Sequence, residues 1–176
     1  TEIIGDIFRD RFGMDFDYDG VRARKHEIFN EMIERDGIPL KPGLIELLDF
    51  LRESDIPAAV ATSTARIRGE KMLRMAGVYE YFTGYVYGDS VKASKPKPDI
   101  FWKAAEELGR KPEECLVIED TTPGVMAGKA AGGYIIHVPD LVKVPEEVKE
   151  GISAELPDLG KVIGWIKCEN QGKGQE

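Results

Sequence analysis

The chain has 176 residues, enough for one domain with a substantial core or for a domain and an appendage. Lys and Arg number 24 against 32 Asp and Glu, a net charge of −8, which excludes the basic face that a nucleic-acid reader needs. A hydrophobic content of 42% excludes disorder throughout, and apolar runs of only a handful of residues give no reason to expect a membrane span. Ile3, Ile4, Ile7, Phe8 and Phe12 recur at helical spacing. A polar turn at 15–20 separates them from a second helical pattern over 21–34, which Gly37-Ile38-Pro39 ends.

The texture changes from Pro42 onward. An amphipathic helix is expected over 44–51, and Ile56 to Ala61 reads as a short buried strand. A helix over 65–75, stopped by Gly77, precedes a candidate strand at Tyr85-Val86-Tyr87. Helix 99–108, strand 115–118, helix 124–131 and strand 134–138 follow, then helices over 145–150 and 159–166. The expected division is a helical part over 1–38, an α/β core over 39–168 and a frayed polar tail over 169–176. Strands alternating with helices imply a parallel sheet covered by helices on both faces. Chemistry in such a sheet lies outside the carboxyl ends of its strands, here Thr62-Ser63, Gly88-Asp89, Glu119-Asp120 and His137.

Three segments carry candidate chemistry, each with a plain alternative. In Val60-Ala61-Thr62-Ser63-Thr64 a strand ends in hydroxyls ahead of a helix, which suits either a phosphate oxygen or an ordinary helix cap. Ser94-Lys95-Pro96-Lys97-Pro98-Asp99 stiffens a lysine-bearing loop, with Asp99 available to cap the next helix. Its lysines either reach a phosphate or are simply solvated. In Val117-Ile118-Glu119-Asp120-Thr121-Thr122-Pro123-Gly124 two adjacent carboxylates at a strand end suit a hard cation, or else Asp120 or Thr121 caps the following helix.

Taken in order, these three segments resemble the haloacid dehalogenase superfamily of phosphohydrolases, in the branch of β-phosphoglucomutase and sugar-phosphate phosphatases. The resemblance implies a Rossmann-like α/β core with a partial helical cap over 1–38. It implies that Thr62 and the Ser63 backbone bind the transferring phosphoryl group, and that Lys95 neutralises its charge. Asp120 would then ligate Mg²⁺ directly and Glu119 through water or from behind, while Lys25 on the cap would read the substrate's distal groups. The implied substrate is a small phosphorylated metabolite, a sugar phosphate, handled by a monomer. The opening residues Thr1 to Gly5 lack the basic start and apolar run of a signal peptide. With Cys115 and Cys168 forming neither a metal spacing nor a disulfide framework, a reducing cytoplasm is the expected location.

One family feature is out of place. The nucleophile belongs on a buried strand running into Asp-x-Asp-Gly, and the matching letters, Asp17-Tyr18-Asp19-Gly20, lie between two helical patterns. They read as a turn of the cap. The expectation is therefore a family member lacking its first strand, its nucleophile and the start of its cap. That strand is central in the family, so the strands at 56–61 and 115–118 would keep open edges. Three alternatives stay open: a phosphate-binding protein without turnover, an inactive fragment, and catalysis by Asp17 and Asp19. A dehalogenase is disfavoured by the Glu119-Asp120 pair, since that chemistry does not require Mg²⁺. Outside these motifs, His137 is expected to be packed or at the surface, Trp102 and Trp165 to pack helices, and Cys115 to act as a small hydrophobe.

Overall fold

The computed structural model describes residues 2–172, with side chains over 4–169. It divides into two compact units, Thr1–Ile38 and Pro39–Glu176. The first is a pair of helices, α1 (Glu2–Phe12) and α2 (Tyr18–Asp36). Phe8 gathers Phe12, Phe16 and Tyr18 around it at ring separations of 5.5–5.8 Å. Asp17 caps α2, its Oδ1 accepting a hydrogen bond from Gly20 N at 2.8 Å. The Asp-x-Asp-Gly letters are thus the cap and first turn of a helix rather than the turn expected over 15–20, because the Asp17 carboxylate satisfies the Gly20 N–H and lets the helix begin at Tyr18.

The second unit alternates strand and helix. Its elements are α3 (Leu44–Glu53), β1 (Ala59–Thr62), α4 (Arg66–Met75), β2 (Gly84–Tyr87), α5 (Asp99–Glu107), β3 (Leu116–Glu119), α6 (Thr122–Ala131), β4 (Tyr134–His137), α7 (Glu146–Lys149), β5 (Ala154–Glu155) and α8 (Gly160–Gly172). Every ladder is parallel, as β1 with β2, β3 with β4 and β4 with β5. Two separate sheets result, β1-β2 and β3-β4-β5, with no ladder between β1 and β3 among the described residues.

Both sheets nevertheless share one core. Val86 of β2, Val117 of β3 and Ile135 of β4 pack with Ile100, Phe101 and Ala104 of α5 and Val125 of α6, and Ala59 and Ala61 of β1 lie against the same cluster. On the opposite face Leu47 of α3 and Val162 of α8 bury Ile136, with Leu116, Ile118 and Trp165 packed around them. Strand β3 therefore sends alternate side chains to two apolar layers, as a covered parallel strand does. Among the described residues, strands β1 and β3 each keep one edge without a ladder partner, and the four residues of β1 are only half-buried. Among the described residues no helix is long and apolar enough to cross a membrane.

Several local expectations change. Strand β1 starts at Ala59, not Ile56, because Pro57 cannot donate to a ladder. Strand β5 has only two residues, too few for a periodic signal, and is held by Ser153 N to Ile135 O at 2.8 Å and Leu156 N to His137 O at 2.9 Å. Trp102 does not pack within a helix layer; it is half exposed, whereas Ile100, Phe101 and Ala104 of the same helix turn inward. Pro98, not Asp99, takes the cap position of α5. Helix α8 continues to Gly172, into the stretch expected to fray, and residues 173–176 lie outside the described ones.

Candidate active site

The carboxyl ends of β1, β3 and β4 open on a cavity of about 430 Å³. Thr62 and Ser63 leave β1 there, Glu119 and Asp120 leave β3, and Lys95 enters from the loop before α5. The sequence-derived set Thr62, Ser63, Lys95, Glu119 and Asp120 thus lines one space. Lys25 is exposed on α2, in the other unit.

Lys95 ties the two sheets together at this end. Its Nζ donates to Ala61 O at 3.1 Å, at the end of β1, and to the Glu119 carboxylate, at the end of β3. The pair is 11% and 8% exposed, so it is a buried ion pair rather than a surface one. The Lys95 ammonium also stands 4.7 Å from the centre of the Phe101 ring, a further desolvated contact for the cation. Glu119 accepts two more hydrogen bonds on Oε2, from Thr121 Oγ1 at 3.2 Å and Asp120 N at 3.3 Å. Gly124 makes room for this carboxylate: a Cβ there would lie 1.9 Å from Glu119 Oε2.

The alternative capping roles can now be assigned. Thr121 caps α6, its Oγ1 accepting from Gly124 N at 3.2 Å. Asp120 is left half-buried in the cavity wall, and its carboxylate makes no hydrogen bond or ion pair among the described residues. Helix α4 is capped neither by Thr62 nor by Ser63. Its first backbone N–H, that of Arg66, is shared between the two carboxylate oxygens of Asp89 at 3.0 and 3.2 Å. Thr62 Oγ1 accepts from Thr64 N at 3.1 Å, which leaves its own hydroxyl hydrogen to donate into the cavity.

Further groups lie near these strand ends; His137 is among the strand ends expected from the sequence, whereas Lys41 and Asp140 carry no sequence signal of their own. Lys41, on the turn before α3, pairs with Asp140, on the loop after β4, and both line the cavity. Tyr87, beside Thr62 in the β1-β2 register, has a buried hydroxyl with no partner among the described residues. Burial, with the Glu70 charge adding to it, pushes its phenol above the ordinary range. His137 is buried, with Nδ1 2.9 Å from Glu155 Oε2. Hydrogen bonds from Lys149 and then His137 hold the Glu155 carboxyl below the usual carboxylate range. Among the described residues no three carboxylate, imidazole or thiol groups converge as a ready-made metal cluster. One free carboxylate in such a cavity still fits Mg²⁺, which commonly takes one or two carboxylates and fills the rest of its shell with other oxygens, water among them. Asp120 fits that description; Glu119, committed to Lys95 and Thr121, does not serve as a second direct ligand in this arrangement.

The comparisons with known proteins agree with this architecture. Residues 7–132 match the family model of haloacid dehalogenase-like hydrolases. The chain is 37% identical over 112 residues to a phosphorylated carbohydrates phosphatase of Thermotoga maritima, covering 64% of this chain and 50% of that protein. It is 38% identical over 108 residues to hexitol phosphatase A of Escherichia coli, covering 61% of this chain and 50% of that protein. The chain thus spans about half the length of each of these phosphatases. A Thermotoga maritima crystal structure described as a candidate β-phosphoglucomutase superposes with a TM-score of 0.75 at 29% identity, covering 92% of this chain and 75% of that one. With the strand-end site already in place, the match over 7–132 settles the family: this chain belongs to the haloacid dehalogenase-like hydrolases.

Proposed function

We propose that the cavity at the ends of β1 and β3 binds the phosphoryl group of a small phosphate ester and supports its transfer, with Mg²⁺, as a sugar-phosphate phosphatase or β-phosphoglucomutase-like mutase. The observation that carries this reading is Lys95. It is a buried cation fixed between the end of β1 and the end of β3, next to the Thr62 hydroxyl and the unpartnered carboxylate of Asp120. Phosphoryl transfer asks the protein mainly for position and for charge stabilisation, and this set offers both. The named phosphatases among the relatives support a phosphorylated carbohydrate as substrate.

In this reading Thr62 donates to a phosphoryl oxygen and the Ser63 backbone N–H lies beside it. Lys95 neutralises phosphate charge while staying anchored to Glu119. Asp120 would hold Mg²⁺, with Glu119 acting on it through water; the ion supplies further neutralisation of the phosphoryl oxygens. The nucleophile is an aspartate on a strand seated between the open edges of β1 and β3, and not a residue of this cavity. Its carboxylate oxygen attacks phosphorus as the ester oxygen leaves and takes a proton from the second aspartate of that strand's Asp-x-Asp-Gly segment. Water or a sugar hydroxyl then attacks the aspartyl-phosphate and frees the aspartate. Lys25, from the helical unit, is assigned to the distal part of the substrate. The use of Asp17 as the cap of α2 favours one second reading for the chain taken alone, that it binds phosphate without turning it over.

Calorimetric titration of inorganic phosphate into the chain, with and without Mg²⁺, tests the reading. The expected result is Mg²⁺-dependent binding, weakened at least tenfold by Thr62→Val and by Lys95→Met, with the Mg²⁺ dependence lost in Asp120→Asn. Phosphate affinity indifferent to all three changes would overturn it.

A further inference from the structure

We infer that the turn after β2, and Asp89 above all, is a positioning element for the phosphoryl-binding loop at 62–64. The inference rests on the phosphate site proposed above and names what holds that site's hydroxyl and backbone groups in place. Gly88-Asp89 follows a strand end, as Thr62-Ser63 does, yet among the described residues it forms no part of the cavity wall. Its groups turn instead to the neighbouring strand end. Thr62 and Tyr87 are register partners in the β1-β2 ladder, so the residues after them run side by side.

Three contacts join the two ends. Gly88 N donates to Thr64 O at 3.0 Å. Asp89 accepts from Arg66 N on both carboxylate oxygens, at 3.0 and 3.2 Å. Gly88 lies so close to Ser63 that a Cβ on it would stand 2.2 Å from Ser63 O. Thr64 is thereby fixed through its carbonyl. Its N–H, 3.1 Å from Thr62 Oγ1, passes that order to the hydroxyl and sets the direction in which the hydroxyl hydrogen is free to donate.

The turn is held from behind. Ser90 Oγ donates to Tyr87 O at 2.7 Å and accepts from Tyr87 N at 3.1 Å, closing the single 3₁₀ turn Gly88–Ser90. Lys103 of α5 donates to Ser90 O at 2.9 Å. A tether gives precision only when its own base is fixed, and here the base is a closed turn pinned to α5. Nothing local substitutes for Asp89, because Ala65, at the cap position of α4, has no side-chain oxygen to offer Arg66 N.

A tether and a bare charge act in opposite directions. A carboxylate near an anion site opposes the anion, so its removal strengthens binding if charge is its only influence. If it holds the loop, its removal releases Ser63 and Thr64 into conformers that do not bind, and the apparent affinity falls with the fraction of chains still in place. The loss of one cap bounds that fall at about five- to tenfold.

The test is calorimetric titration of inorganic phosphate into the whole chain in Mg²⁺, with urea midpoints and the amide resonances of Ser63 and Thr64 measured in parallel. Asp89→Ala is expected to weaken phosphate binding about fivefold and to move both resonances before phosphate is added. Asp89→Asn, whose side-chain oxygen still accepts from Arg66 N, should stay within about twofold of the unaltered chain. Asp17→Ala removes a cap of the same kind from α2 and should leave phosphate affinity unchanged. Affinity that is unchanged or raised in Asp89→Ala, whatever the loss of stability, overturns the positioning role, as does equal weakening by Ala and Asn. Gly88→Ala reads the same joint should Asp89→Ala fail to fold: it presses on Ser63 O and should weaken phosphate at least about fivefold, and unaltered affinity there also overturns the role. If the unaltered chain binds no phosphate, the phosphate site falls and the positioning role with it. If it binds, and Thr62→Val weakens binding while Asp89→Ala does not, the positioning role alone falls.

Discussion

Replacing Lys95 by Met would leave Glu119 as a buried carboxylate without its cation while keeping an unbranched apolar side chain at position 95. Removing one partner of a buried ion pair costs about 3–5 kcal/mol, against about 0–1 kcal/mol for a surface pair. Glu119 is not wholly orphaned, since Thr121 Oγ1 and Asp120 N still donate to it, so the lower end, about 3 kcal/mol, is the working figure. For a domain of this size that is a fall in Tm of about 10 °C, readable by calorimetry, with the matching shift in urea midpoint. The double replacement Lys95→Met with Glu119→Leu should recover most of the loss, because apolar groups of similar volume replace a buried pair at little net cost. A loss below about 1 kcal/mol in the single variant, or a double variant no more stable than the single one, would refute the view of this pair as a desolvated brace between the two sheets.

Other substitutions test other joints of the structure. Gly124→Ala places a Cβ 1.9 Å from Glu119 Oε2 and should destabilise by about 1–3 kcal/mol, while weakening phosphate binding, since the carboxylate that holds Lys95 must move. Gly43→Ala, at φ 78° and against Gly160 N, should cost about 2 kcal/mol by urea unfolding. Asp17→Ala should cost about 1 kcal/mol, the value of a helix cap, and leave phosphate affinity unchanged. The Glu155 carboxyl is held below its ordinary value of 4.5 in the folded chain, so its contribution is complete above that value and is lost as pH falls through the lowered one. Glu155→Gln should accordingly lose less stability than the unaltered chain when urea midpoints are compared across that acid range.

The α/β architecture was legible because its signals are local. Pro123 and Gly124 after Glu119-Asp120, and Gly109 after a helical run, mark strand–helix and helix–loop joints within a few residues. The site was legible for the same reason: in a parallel sheet the ends of strands are neighbours, so the residues after β1 and β3 meet without further information. Which of two local roles a residue takes was not legible. Whether Thr121 or Asp120 caps α6, and whether Asp89 rather than Thr62 or Ser63 serves α4, depends on pairings up to 23 positions apart. Trp102 shows the limit of composition, because an aromatic in an amphipathic helix can still fall on the outer face. Lys41 and Asp140 lay beyond any motif, since one loop precedes the first strand of this unit and the other follows its fourth.

The origin of the nucleophile separates an active phosphotransfer enzyme from a phosphate-binding chain. The decisive measurement is Mg²⁺-dependent phosphate release from an aryl phosphate by this chain, alone and after joining to its start an apolar strand that ends in Asp-x-Asp-Gly. The account predicts no turnover above a Lys95→Ala background for the chain alone, and turnover restored by the added strand and lost again when its first aspartate becomes Asn. Turnover by the chain alone that disappears in Asp17→Asn would contradict it, because it would place the nucleophile at a residue that the structure uses as a helix cap.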